Sequence, residues 1–125
     1  LTPPRLLGVT VLTSLDEDDL AQQGVAGTAR EQVVRLAELA RRAEIDGIVS
    51  SAREIEAIRA ACGADFDIVV PGIRPSGSAQ DQKRIMTPGE AVRAGASALV
   101  IGRPITGASD PAQAAAKIRV EVDTT

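Results

Sequence analysis

The sequence predicts an α/β fold with a parallel sheet, and three observations carry that reading. Four short apolar runs, most of them rich in β-branched residues, recur at residues 6–12, 47–50, 67–70 and 98–101. Each run leads into a stretch with helical periodicity or helix-start residues. Strand–helix repeated four times needs a crossover after every strand, which builds parallel, right-handed units.

The first run, Leu6-Leu7-Gly8-Val9-Thr10-Val11-Leu12, is unbroken enough to predict a strand covered on both faces. Residues 16–20 then start a short helix, with Ser14 or Asp16 as N-cap and acidic residues in its first turn. Gly24 and Gly27 punctuate the chain before a longer helix from Thr28. In that helix Val33, Val34, Leu36, Ala37, Leu39 and Ala40 form the apolar stripe, and Arg41 and Arg42 lie on the wet face. The second strand is 47–50, and the helix after it spans 52–62. Ser51 with Glu54 three residues on reads as a capping box, and Gly63 stands where a left-handed C-cap belongs.

The third strand, 67–70, ends at Pro71-Gly72, and a polar stretch continues to Thr87. Thr87-Pro88 with Glu90 starts a helix over 88–94. The fourth strand, 98–101, runs into Gly102-Arg103-Pro104, and Asp110-Pro111 opens a last helix through Ile118 with a polar tail. Four units in 125 residues average about 31 each, while a (β/α)8 barrel spends about 250 on eight. The chain has the rhythm of half a barrel. A small doubly wound domain fits the same counts, although no glycine-rich dinucleotide fingerprint follows the first strand.

Composition bounds the function. A net charge of −3, one Phe and no Trp or Tyr argue against a nucleic-acid surface, which needs clustered positive charge and stacking platforms. Having no His removes the commonest general base and zinc ligand together. The one cysteine, Cys62, cannot close an intrachain disulfide and is expected to be a small buried apolar residue. Apolar runs of a few residues predict a soluble, cytoplasmic protein without a membrane partner. The chain opens on Leu1, and its sole methionine is Met86, so a processed product or a piece of something longer is expected.

Chemistry-bearing residues gather at C-terminal strand ends, where α/β folds keep their ligands. Thr13-Ser14 follows the first strand, Pro71-Gly72-Ile73-Arg74-Pro75 the third, and Gly102-Arg103-Pro104 the fourth. Arginine presents a planar fork to phosphate oxygens, and Gln82 offers a neutral amide donor. Gly102 lets a backbone N–H approach an anion without a Cβ in the way. Taken singly, each segment also reads as a plain turn with a solvated arginine. Spacing alone leaves phosphate binding and that reading both open.

Five strings taken together resemble the orotidine 5′-phosphate decarboxylase family. They are Val9-Thr10-Val11-Leu12-Thr13-Ser14, Gly47-Ile48-Val49-Ser50-Ser51-Ala52, Pro71-Gly72-Ile73-Arg74-Pro75, Asp81-Gln82-Lys83-Arg84-Ile85-Met86-Thr87-Pro88 and Val100-Ile101-Gly102-Arg103-Pro104-Ile105. The resemblance covers nearly the whole chain but only the family's C-terminal half, strands five to eight of a TIM barrel. It implies one partial barrel domain over 1–125. It also implies a metal-free, cofactor-free lyase that converts orotidine 5′-monophosphate (OMP) to uridine 5′-monophosphate (UMP) and CO₂ in pyrimidine biosynthesis. By the same resemblance Thr13 meets the pyrimidine, Arg74, Gln82 and Arg103 hold the 5′-phosphate beside the Gly102 N–H, and the complete enzyme is a homodimer.

The family's catalytic residues, an Asp–Lys–Asp network on a D-x-K-x-x-D motif and a further Lys, belong to strands that this sequence does not contain. Asp81-Gln82-Lys83 echoes that motif only in part and belongs to the loop string, so it takes no catalytic role. The resemblance therefore implies a substrate-binding half that is inactive alone. Two alternatives stand beside it: a non-catalytic phosphate-binding half-barrel, and another sugar-phosphate decarboxylase of the same suprafamily. The two outer strands of such a half are expected to need a partner.

Overall fold

Four parallel strands lie side by side in chain order, β1 (Leu7–Val9), β2 (Gly47–Val49), β3 (Asp67–Val70) and β4 (Ala98–Leu99), in a computed structural model that describes residues 2–75 and 86–125. Register runs Val9 to Val49 to Val69, and Val69 pairs onward with Ala98. The helices are α1 (Glu17–Gln22), α2 (Ala29–Arg42), α3 (Ile55–Cys62), α4 (Pro88–Ala94), α5 (Arg103–Thr106) and α6 (Pro111–Asp123).

Helix starts follow local chemistry. Asp16, not Ser14, caps α1, and its carboxylate accepts from the Asp19 N–H at 2.8 Å while the Asp19 carboxylate accepts from the Asp16 N–H at 3.0 Å. The Thr28 hydroxyl accepts from the Glu31 N–H at the head of α2, and Thr87 with Glu90 forms the expected capping box of α4. Asp110 caps α6, accepting from the Gln113 N–H at 3.1 Å.

The core lies between one face of the sheet and the helices. Ile48, Ile68 and Val70 project from the strands onto Ala37 and Ala40 of α2, Ile55, Ile58 and Cys62 of α3, and Ala91 of α4. Burial pushes the Cys62 thiol pKa up and leaves it a packing group. Arg59 ties the far end of this layer together. Its guanidinium donates to the carbonyls of Gly95, Gly63, Ala64 and Phe66 and to the Ser97 hydroxyl.

The structure departs from several expectations. β1 ends at Val9, and just beyond it the Thr10 N–H and hydroxyl both donate to the Val49 carbonyl. The strand is not covered on both faces: Leu7 and Val9 are exposed. Leu39 leaves the expected stripe and stands in solvent. The helix expected over 52–62 begins with a 3₁₀ turn at Ala52–Glu54. Gly63 has a positive φ but an extended ψ of −176° rather than the left-handed cap. The short helix α5 was not expected, and α6 continues past Ile118 to Asp123.

Candidate functional site

At the C-terminal ends of β1, β2 and β3 a cleft of about 420 Å³ opens. The loop after β1 lines it with Thr13, Ser14 and Asp16, the turn after β2 with Ser51, Arg53 and Glu54, and the segment after β3 with Pro71 and Gly72. Thr13 is exposed on its wall.

Ser51 and Glu54 do something other than cap a helix. The Ser51 hydroxyl makes no bond to the backbone of the following turn and instead donates to the Glu54 carboxylate. Glu54 is 7% exposed, and the Ser51 hydroxyl supplies the hydrogen bond that a buried polar group needs. The S-x-x-E signature is legible in the sequence, but the same letters serve a capping box and a hydroxyl–carboxylate pair. Asp16 likewise stands at the cleft, where the Asp19 N–H holds its carboxyl below the usual carboxylate range.

The other predicted residues lie beyond the cleft lining. β3 and β4 are neighbours, and the Val100 N–H donates to the Val70 carbonyl at 2.9 Å, so the segments carrying Arg74 and Arg103 leave adjacent strands. Arg74 is half-buried, and its N–H donates to the Met86 carbonyl at 3.3 Å. Gly102 precedes α5 with φ −103°, and Arg103 is the exposed first residue of that helix. Among the described residues neither guanidinium has a hydrogen-bond or ion-pair partner, whereas Arg59 is saturated by five acceptors. Free forks at adjacent strand ends are the arrangement a dianion would use. Gln82 lies outside the described residues.

Among the described residues there is no cluster of three or more His, Cys, Asp or Glu side chains able to hold a metal ion, and no helix long and apolar enough to cross a membrane.

Comparison with known proteins bears on the family and the fold. A family model described as orotidine 5′-phosphate decarboxylase / HUMPS family matches residues 1–118. Orotidine 5′-phosphate decarboxylase of Trichlorobacter lovleyi is 61% identical over 120 residues, covering 95% of this chain and 50% of that protein. The Rhodospirillum rubrum enzyme of the same name is 57% identical over 123 residues, covering 98% and 50%. The crystal structure of orotidine 5′-phosphate decarboxylase from Lactobacillus acidophilus superposes with a TM-score of 0.82 at 41% identity, covering 95% of this chain and 49% of the other. The chain spans about half the length of the curated relatives it matches. Four consecutive βα units in chain order make half of a (β/α)8 barrel, the fold that the strand–helix rhythm and the family resemblance together predict.

Proposed function

The chain belongs to the orotidine 5′-phosphate decarboxylase / HUMPS family, and from that premise we propose that it is the phosphate- and pyrimidine-binding half of an orotidine 5′-phosphate decarboxylase. The observation that carries this reading is the match over residues 1–118 together with two arginines on adjacent strand ends whose side chains have no partner among the described residues. Arg74 and Arg103 grip the 5′-phosphate of OMP or UMP, and the Gly102 N–H completes the grip where no Cβ intervenes. Thr13 meets the pyrimidine in the cleft beside it.

In the reaction the bond between the pyrimidine and its carboxylate breaks. The electron pair stays on the ring carbon, CO₂ departs, and a proton replaces it. This sequence holds none of the Asp–Lys–Asp residues that would stabilise that carbanion and protonate it. Those groups come from the other barrel half, and the complete enzyme is a homodimer. The contribution of this half is binding energy from the phosphate, remote from the reacting carbon, which holds the ring in place for the step.

Calorimetric titration of the chain with UMP and with uridine tests the reading. UMP should bind at least tenfold more tightly than uridine. Arg103→Ala should remove about 1.5–3 kcal/mol of that advantage, the range for hydrogen bonds to a charged group. Equal binding of UMP and uridine by the unaltered chain overturns the phosphate grip. An OMP-to-UMP conversion by the chain alone overturns its assignment as a non-catalytic half.

A further inference from the structure

Ser51, half-buried at the end of β2, is gripped from two sides. Its carbonyl accepts from the Ser50 hydroxyl at 3.2 Å and from the Glu54 N–H at 3.3 Å. Its hydroxyl donates to the Glu54 carboxylate, and both residues line the cleft together with Thr13. Ser50 and Glu54 are themselves buried, so the frame that orients Ser51 lies within the fold. A carboxylate on the wall of a site for an anionic nucleotide weakens binding unless it does something else there. Glu54 gives its charge to no cation, since among the described residues no ion pair includes it. What it does have is the Ser51 hydrogen.

A hydroxyl carries one hydrogen and two lone pairs, and an ionised carboxylate only accepts. The Ser51 hydrogen is therefore committed to Glu54, and Ser51 offers the cleft lone pairs alone. We propose that Glu54 is a positioning residue that makes Ser51 an obligate acceptor, so that the cleft takes a pyrimidine with a ring N–H and rejects one with a bare ring nitrogen. The inference rests on the reading of this chain as a pyrimidine-nucleotide-binding half, and adds which base is taken and which residues choose it. Uracil and orotate carry a hydrogen on the nitrogen between their two carbonyls, and Ser51 can accept it. Cytosine has a lone pair at that nitrogen, which would face the Ser51 lone pairs with no hydrogen between them. Mismatched polar groups of this kind discriminate more sharply than a difference in size.

Calorimetric titration with UMP, CMP, uridine and cytidine tests the proposal in the unaltered chain, Ser51→Ala, Glu54→Met and the double variant. The unaltered chain should bind UMP about tenfold more tightly than CMP, the scale of one polar group left unpaired. Ser51→Ala should bring the two within about twofold by weakening UMP. Glu54→Met should narrow the gap by tightening CMP, because the freed Ser51 hydroxyl can turn its hydrogen to the cytosine nitrogen. The double variant should match Ser51→Ala, and a further loss of preference in it overturns the action of Glu54 through Ser51. If Glu54→Met does not fold, proton NMR of the unaltered chain decides the pair. A Ser51 hydroxyl hydrogen protected from exchange and close to the Glu54 side chain supports it, and one that exchanges freely overturns it. UMP and CMP that bind alike, both more tightly than their nucleosides, overturn this proposal and leave the phosphate grip standing. Uridine preferred over cytidine, with no gain from either phosphate, overturns the grip and leaves this proposal standing. Binding of none of the four at millimolar concentration overturns both.

Discussion

The two faces of this sheet differ by a single residue step along each strand, yet they have opposite environments. In β3, Ile68 and Val70 are fully buried under α2, α3 and α4, while Val69 between them belongs to the uncovered row with Val9 and Val49. All are β-branched and apolar, so composition does not separate them. What separates them is whether the chain supplies something to lie on top. Helices α2, α3 and α4 pack on one side, and among the described residues nothing packs on the other. Burial is a property of the neighbours a residue has and not of its own hydrophobicity.

Core truncation makes the comparison quantitative. Ile68→Ala should cost about 2–5 kcal/mol in urea denaturation, from lost transfer energy and the cavity left behind. Val9→Thr on the open face should change the stability of the monomeric state by no more than about 0.5 kcal/mol. A Val9 variant as damaging as the Ile68 variant would show that the open face is covered in solution.

Glycines sharpen the same contrast at a smaller scale. A Cβ at Gly47 would overlap the Asp67 carbonyl oxygen and lie 2.5 Å from the Asp67 Cβ, where β2 and β3 meet under the Arg5–Asp67 pair. Gly47→Ala should therefore cost about 1–3 kcal/mol by overpacking. At Gly102 a Cβ meets nothing within 4 Å and φ is −103°, so Gly102→Ala should stay within about 0.5 kcal/mol in stability. Any loss in that variant should appear in UMP titration and not in the denaturation curve. Stability lost equally at both positions would mean that the strand-end glycine serves the fold, against its reading as an anion contact.

These contrasts explain what the sequence disclosed and what it hid. Signals that are local came through: Thr87-Pro88 with Glu90 starts α4, Asp110-Pro111 starts α6, and the Asp67–Val70 strand is found at its expected bounds. The apolar run over 6–12 overstated β1, because hydrophobicity reports what a side chain favours and the covering layer is a tertiary matter. Leu39 misled for the same reason. The half-barrel rhythm was readable from unit length, but choosing it over a doubly wound sheet needed the five linked strings. At the site, Thr13 was legible as a strand-end hydroxyl that lines the cleft. Ser51 and Glu54 were legible only as a cap, since the spacing that brings a hydroxyl to a backbone N–H also brings it to a carboxylate.

The weakest expected effect separates the mouth from the core by pH. The Asp16 carboxylate accepts from the Asp19 N–H at the head of α1, and that bond to the charged form holds its pKa below the usual carboxylate range. A folded pKa below the unfolded one contributes stability that is fully present above the unfolded value and is lost as pH falls through the folded value. Acidification should therefore release α1 and the cleft wall that Asp16 shares with Thr13 as pH falls through and below the ordinary carboxylate range. The helix-covered face carries its stability in Ile48, Ile68 and Val70, none of which titrates. Amide hydrogen exchange followed on descending from pH 6 to pH 3 should show Glu17–Gln22 losing protection first, with Asp67–Val70 still protected. Asp16→Asn should flatten that pH dependence, because asparagine keeps a capping oxygen with no charge to lose. Simultaneous loss at both segments would mean that the mouth and the core open as one unit, and the division between the two regions would not extend to the loops.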